Sequence, residues 1–194
     1  MKLWLVVGLG NPGPTYAGHR HNVGYLVVEE LARRLDARFS PARGMRAEVT
    51  HARLGLPGGD APRVALVKSR TFMNETGLPV SKLLAYHKIA PEQLVVIHDE
   101  LDLRPGQLRV KFGGGDNGHN GLRSIRASLG TGDFYRVRVG VGRPTGRQDP
   151  IDFLLSNFAA SERVDLAVEV ARAADAVESL IEFGLEKTQT QFNS

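Results

Sequence analysis

The chain has 194 residues, is 42% hydrophobic and 24% charged, carries a net charge of +4 and contains no cysteine. That is the size and balance of one globular domain. The missing thiols exclude disulfides, cysteine nucleophiles and cysteine-ligated zinc or iron–sulfur centres, and they fit a reducing compartment. No apolar run reaches the length of a transmembrane helix, and the N-terminal apolar stretch is too short for a signal peptide, so a cytoplasmic chain with no membrane partner is expected.

The charge is unevenly placed. Residues 161–194 hold three Lys/Arg against seven Asp/Glu, whereas Arg104 to Arg147 holds nine Lys/Arg against only Asp116 and Asp133. A concentrated basic region suits a polyanion such as nucleic acid, and equally a solvated basic face.

In chain order, Leu3–Val7 is an apolar run that reads as a buried strand. A loop punctuated by glycine and proline follows, and roughly 23–36 has helical apolar spacing (Val27, Val28, Leu31, Ala32, Leu35). Residues 38–45 read as a basic loop. Met45–Leu54 and Val64–Val67 read as strands joined by a turn at 56–60, an antiparallel hairpin. Thr76 opens a helix to about Lys88, with Pro79 in its first turn, where proline is tolerated. Leu94–Ile97 is a fully apolar strand ending in His98-Asp99-Glu100. Leu108–Phe112 is a strand, Gly113–Gly118 a glycine-rich loop, His119–Leu129 a helix and Tyr135–Val141 an alternating strand. A short helix is expected within 149–158. A last helix is expected to be capped by Ser161, with Val164, Ala167, Val168, Ala171, Ala174, Val177 and Ile181 on its buried stripe. Strands interleaved with helices imply an α/β fold: one domain over 1–184 with a twisted, mixed and mostly parallel sheet flanked by helices, then a polar, mobile tail at 185–194.

Gly8-Leu9-Gly10-Asn11-Pro12-Gly13 matches the dinucleotide fingerprint after a strand. That mechanism needs a helix to begin inside the glycine turn. Here Pro12 and Pro14 remove amide donors, the helical pattern starts only near Val23, and no second strand ending in an acid follows. The fingerprint therefore argues weakly for a nucleotide cofactor.

The chemistry-bearing residues suggest something else. Histidine is the default general base near neutral pH, and His21 ends the first loop. Asp99 follows an apolar strand, where open α/β sheets place functional groups. If that strand neighbours the first, Asp99 can accept from one ring nitrogen of His21 and leave the other to take a proton from water. Asn11, Asn74 and Asn120 each suit a turn or cap in isolation, and together could hold a neutral carbonyl and donate to a developing oxyanion. With no cysteine and no serine elbow, direct water attack is favoured over a covalent intermediate. No metal-ligand spacing stands out. Gly113–Gly118, leading into a helix, could cradle a phosphate, with Arg109, Lys111 and Arg138 adding charge for an RNA backbone.

Taken together, Val7-Gly8-Leu9-Gly10-Asn11-Pro12-Gly13 with Tyr16 and Arg20-His21-Asn22-Val23-Gly24, Thr71-Phe72-Met73-Asn74 with Gly77, His98-Asp99-Glu100-Leu101-Asp102, and Gly113-Gly114-Gly115 through Gly118-His119-Asn120-Gly121-Leu122 resemble the bacterial-type peptidyl-tRNA hydrolase family. Arg136 to Pro144 also looks alike, and the order matches from about residue 3 to 184. The resemblance implies a monomeric, cofactor-free and metal-free esterase acting on peptidyl-tRNA, including ribosomal drop-off products, and freeing tRNA for reuse. It implies His21 as the group that activates water, Asp99 as its stabiliser and Asn11 as the group that distinguishes peptidyl from aminoacyl ends. Tyr16, Phe72, Asn74 and Asn120 would line the site for the tRNA end and the adjoining peptide. Arg109, Lys111 and Arg138 would meet the tRNA backbone. Two positions depart from the family pattern: His19 stands where a small polar residue is expected, and Asp116-Asn117 adds a negative charge to a loop expected near phosphate. A non-catalytic RNA-binding relative of the same fold, such as the plastid splicing-factor relatives, is the alternative, and a deacylation assay separates the two.

Overall fold

The computed structural model describes residues 2–55 and 60–193. The turn expected at 56–60 lies almost wholly outside the described residues. One seven-stranded sheet runs through the molecule in the order β2-β3-β4-β1-β5-β7-β6. Its strands are β1 (Leu3–Gly8), β2 (Ser40–Ala42), β3 (Ala47–Arg53), β4 (Arg63–Ser69), β5 (Leu94–Glu100), β6 (Leu108–Phe112) and β7 (Tyr135–Gly140). The four central strands are parallel, and β2, β3 and β6 join the two sides antiparallel. The expected hairpin is thus β3–β4, and the expected neighbour relation between the first strand and the strand before Asp99 is the β1–β5 pair.

Strand alternation divides the core in two. Val6, Val64, Leu66, Val95 and Ile97 point to one face, under helices α1 (Val23–Arg34) and α5 (Arg163–Phe183). Leu5, Val7, Ala65, Val67 and Val96 point to the other, under α2 (Gly77–His87) and α3 (Asn120–Leu129). Both faces of the central strands are covered, which is why those strands read as unbroken apolar runs.

The fingerprint glycines serve this packing. A Cβ on Gly8 would lie 2.2 Å from the carbonyl oxygen of Gly24, and one on Gly24 would lie 2.4 Å from that of Ile97. Helix α1 therefore seats directly on β1 and β5, with the residues just before it at the C-terminal end of both strands.

Several expectations need correcting. Residues 40–42, read as loop, form the short edge strand β2 on β3. The short helix expected within 149–158 is α4 (Pro150–Leu154), and it goes no further because the carbonyls of Ser156 and Asn157 are turned to Arg20. Ser161 does not cap α5; Ala160–Glu162 form a 3-10 turn, and the Glu162 carboxylate accepts from the Ala159 amide. Val164 and Val168 are 76% and 59% exposed, so the first half of the expected stripe faces out and the half-buried Leu166 and Val170 pack there instead; Ala174, Val177 and Ile181 of the expected stripe are buried, beside Ala173 and Leu180. Both rows fit a 3.6-residue period, and only tertiary contact distinguishes them.

The segment after Gly184, expected to be mobile, forms helix α6 (Leu185–Phe192). It covers the edge strand β6: Asn193 Oδ1 accepts from the Val110 amide at 2.8 Å, and Gln189 Nε2 donates to the Val110 carbonyl at 3.0 Å. Its polar character is explained by that task, since an open sheet edge offers backbone groups for pairing.

Candidate active site

The site forms where the chain leaves β1 for one side of the sheet and later returns to β5 on the other. Open α/β sheets bind ligands in such crevices, at the C-terminal ends of the strands. Three consecutive buried residues, Arg20, His21 and Asn22, form a 3-10 turn just before α1. With three residues per turn, their side chains leave about 120° apart, so one short turn serves three directions.

Arg20 points away from the cleft. Its guanidinium lies over the Phe153 ring at 4.2 Å, donates to Ser156 Oγ and the Asn157 carbonyl, and pairs with Glu162 at 2.8 Å. It ties the turn to the α4 segment. Asn22 points to Asn11: Asn11 N donates to Asn22 Oδ1, and Asn22 Nδ2 donates to the Asn11 carbonyl, both at 2.9 Å. His21 points to Asp99, with Nδ1 2.7 Å from Oδ2.

The second oxygen of Asp99 is also engaged. His119 Nε2 lies 2.8 Å from Oδ1. His119 is the N-cap of α3, and its Nδ1 accepts from the amides of Gly121 and Leu122 at 3.1 and 3.4 Å. With Nδ1 an acceptor, the His119 proton sits on Nε2 and is donated to Asp99. The carboxylate thus accepts from two imidazoles and has no freedom to rotate.

These contacts set the ionisation. Burial favours a neutral Asp99, yet His21 and His119 hold its carboxyl far below the usual carboxylate range. Burial likewise opposes a charged His21, but the attraction of Asp99 and the hydrogen bond to it together raise the His21 pKa above its ordinary value. His98 donates through Nδ1 to the Asp99 carbonyl oxygen at 2.7 Å. Burial, then the neighbouring His119, pushes its pKa down to about 3, so it is neutral.

A cleft of about 360 Å³ opens over His21. Its polar wall includes Asn11, Asn74, His119 and Asn120, and its apolar wall includes Phe72, Met73, Leu101, Ile151 and Leu155. Asn11 Oδ1 accepts from the Met73 amide at 2.7 Å, which joins the β1 loop to the loop after β4. Asn74 and Asn120 are exposed in the cleft. Tyr16 stands at its rim, its ring edge-on to Phe72 (centroids 5.9 Å) and to His19 (5.5 Å). The unusual His19 therefore braces Tyr16.

The basic residues lie elsewhere. Arg109 is opposite Arg138, and Lys111 opposite Arg136, on the β6–β7 pair, so all four cations share one face. Arg138 is held by Glu100 at 2.9 Å. Burial, then Arg138 and Arg136, lowers the Lys111 pKa. Arg136 is fully buried and donates to the carbonyls of Gly114, Gly115 and Gly132. The carbonyls of the glycine loop turn inward onto this arginine, and two of its amides have internal partners: Gly113 N donates to Phe134 O, and Gly118 N to Asp116 Oδ1. The added charge of Asp116 is met by Arg126 at 3.4 Å, and Asn117, at φ +49°, donates to both Glu100 and Asp102.

Sequence reasoning brought together His21, Asp99 and the three asparagines; the structure places His21 and the asparagines on the wall of one cleft, with Asp99 buried behind His21. It missed His119, Asn22 and Arg136. Nothing in Tyr135-Arg136-Val137 distinguished a buried arginine from Arg138 on the same strand face. A histidine just before Asn-Gly at a helix start was a signal for a cap. Among the described residues, His21, Asp99 and His119 are the group able to hold a metal ion. Each ring nitrogen faces a different carboxylate oxygen at hydrogen-bond distance, and the second nitrogen of His119 is committed to helix amides, so this donor set is arranged for protons.

The fold and cleft are those of an α/β enzyme with a buried imidazole–carboxylate pair beneath neutral amides. The sequence matches the family described as peptidyl-tRNA hydrolase over residues 5–194. It is 58% identical to the peptidyl-tRNA hydrolase of Cutibacterium acnes, covering 98% of each chain. It is 52% identical to that of Streptomyces coelicolor, covering 98% of this chain and 95% of the relative. The crystal structure of peptidyl-tRNA hydrolase from Acinetobacter baumannii superposes with a TM-score of 0.87 at 33% identity, covering 99% of this chain and 95% of that one. The chain therefore belongs to the peptidyl-tRNA hydrolase family, and its activity is hydrolysis of peptidyl-tRNA.

Proposed function

We propose that the ester between the peptide and the 3′-terminal ribose is cut by water that His21 activates. The observation that carries this reading is the 2.7 Å contact between His21 Nδ1 and Asp99 Oδ2. It commits the Nδ1 proton to the carboxylate and leaves Nε2 as the basic nitrogen. As water attacks the ester carbon, its proton passes to Nε2, and Asp99 stabilises the imidazolium. The oxygen of the carbonyl gains negative charge and is met by the neutral amides of Asn74 and Asn120, which favour the transition state over the uncharged ester. Collapse expels the ribose oxygen, which takes the proton back from His21. Asn11 meets a carbonyl of the peptide, while Tyr16 and Phe72 offer ring faces to the tRNA end.

Arg109, Lys111 and Arg138 meet the tRNA backbone, and the duplex is recognised by shape. The chain works as a monomer in the cytoplasm, freeing tRNA from peptides lost by ribosomes. Among the described residues no helix is long and apolar enough to cross a membrane. Deacylation of N-acetylaminoacyl-tRNA tests the mechanism. His21→Ala is expected to lower turnover by about a thousandfold, the range of a lost general base, with tRNA affinity unchanged. Retained turnover would refute the role of His21.

A further inference from the structure

Asn11 carries four polar groups, and three of them are used inside the protein. Its N–H and its main-chain carbonyl are both taken by the Asn22 side chain at 2.9 Å, and its Oδ1 by the Met73 amide at 2.7 Å. Among the described residues only Nδ2 has no partner, and Asn11 lines the cleft that His21 also lines. Asn22 is 1% exposed and spends both ends of its amide on the Asn11 main chain, as a neighbouring strand would. Flipping either amide would set donor against donor, so the network fixes both orientations.

This matters for selectivity. An unrestrained asparagine can offer either its donor or its acceptor to a ligand. Held as it is, Asn11 offers only N–H. That suits the carbonyl of a peptidyl end and opposes the amino group of a free aminoacyl end, which near neutral pH is largely an ammonium donor itself.

We propose that Asn22 is a positioning residue that sets the preference for peptidyl over aminoacyl ends: it clamps the Asn11 main chain where the Met73 amide takes Oδ1, so that Asn11 presents a donor alone. This rests on the reading of Asn11 as the group that meets the peptide carbonyl. Asn22 follows His21 in the same turn, so the clamp also fixes the spacing between the base and that donor.

The test uses the full chain and the ratio of kcat/KM for N-acetylaminoacyl-tRNA to that for the same aminoacyl-tRNA, each variant being compared with the wild type at each pH. In Asn22→Asp the carboxylate can accept from Asn11 N but cannot donate to Asn11 O. The isosteric carboxylic acid can do both. The ratio is expected to fall about tenfold when the carboxyl is ionised, equivalent to about 1.4 kcal/mol, and to recover as the pH is lowered. His21 protonation acts on both substrates alike and cancels in the ratio. Asn22→Ala should lower the ratio at every pH; should that variant not fold, the pH-dependent recovery of Asn22→Asp carries the test alone. A ratio lowered by Asn11→Ala but untouched by both Asn22 variants would overturn the clamp and leave the reading of Asn11 standing. A ratio unmoved by Asn11→Ala would overturn both. Equal losses on the two substrates would reduce Asn22 to a merely structural residue and overturn the proposal.

Discussion

The C-terminal ends of β1 and β5 and the β6–β7 edge handle charge in opposite ways. At the first, a single buried carboxylate accepts from two imidazoles, and the cleft beside it presents neutral amides. At the second, Arg109, Lys111, Arg136 and Arg138 crowd one face of two strands, with Glu100 and glycine carbonyls offsetting part of the repulsion. The difference follows the proposed substrate. An ester carbonyl becomes negative only during reaction, so fixed neutral donors discriminate in favour of the transition state. A nucleic-acid backbone is always negative, so permanent cations serve it.

The largest effects should come from breaking the first region. Asp99→Ala removes the partner of both imidazoles, and a fall of about a hundredfold in kcat is expected with little change in KM, measured in steady-state deacylation. His119→Ala leaves the His21–Asp99 pair in place but frees one carboxylate oxygen, and about a tenfold fall is expected in the same assay. A His119→Ala rate equal to wild type would mean that one imidazole suffices to hold Asp99.

Much of that region could be read in the sequence because its residues sit at strand ends and loop turns, where periodicity stops and composition changes. The β1 loop and the His98-Asp99-Glu100 strand end announced themselves in this way. His119 did not, because the signal that it reaches Asp99 is tertiary: the start of α3 must first be brought to the end of β5. Arg136 was hidden for the same reason, as its partners are carbonyls of residues whose side chains say nothing. Helix α6 was misread because polar residues that cover a sheet edge look like polar residues in water.

The second region should yield smaller, separable effects. Arg136→Met removes the buried guanidinium and leaves three partly buried carbonyls, of Gly114, Gly115 and Gly132, without their donors, and a loss of about 3 kcal/mol in urea unfolding is expected, with folding otherwise cooperative. Arg109→Ala, Lys111→Ala and Arg138→Ala should each weaken tRNA binding a few-fold, leave kcat intact and reduce the salt dependence of binding by about one unit of slope per lost phosphate contact. An unchanged slope in all three would move the RNA contact elsewhere.

The pH dependence of kcat/KM in the wild type and in Asp99→Asn tests the central claim most directly. His21 must be unprotonated to act, and its pKa is raised above 6.5, so the wild-type rate should climb through a midpoint above that value and level off at higher pH. Without the Asp99 charge, burial alone acts on the ring, and the midpoint should move to lower pH as the plateau falls. A midpoint that stays put in the variant, or a wild-type rate flat across this range, would contradict the pairing of His21 with Asp99 as the source of the base.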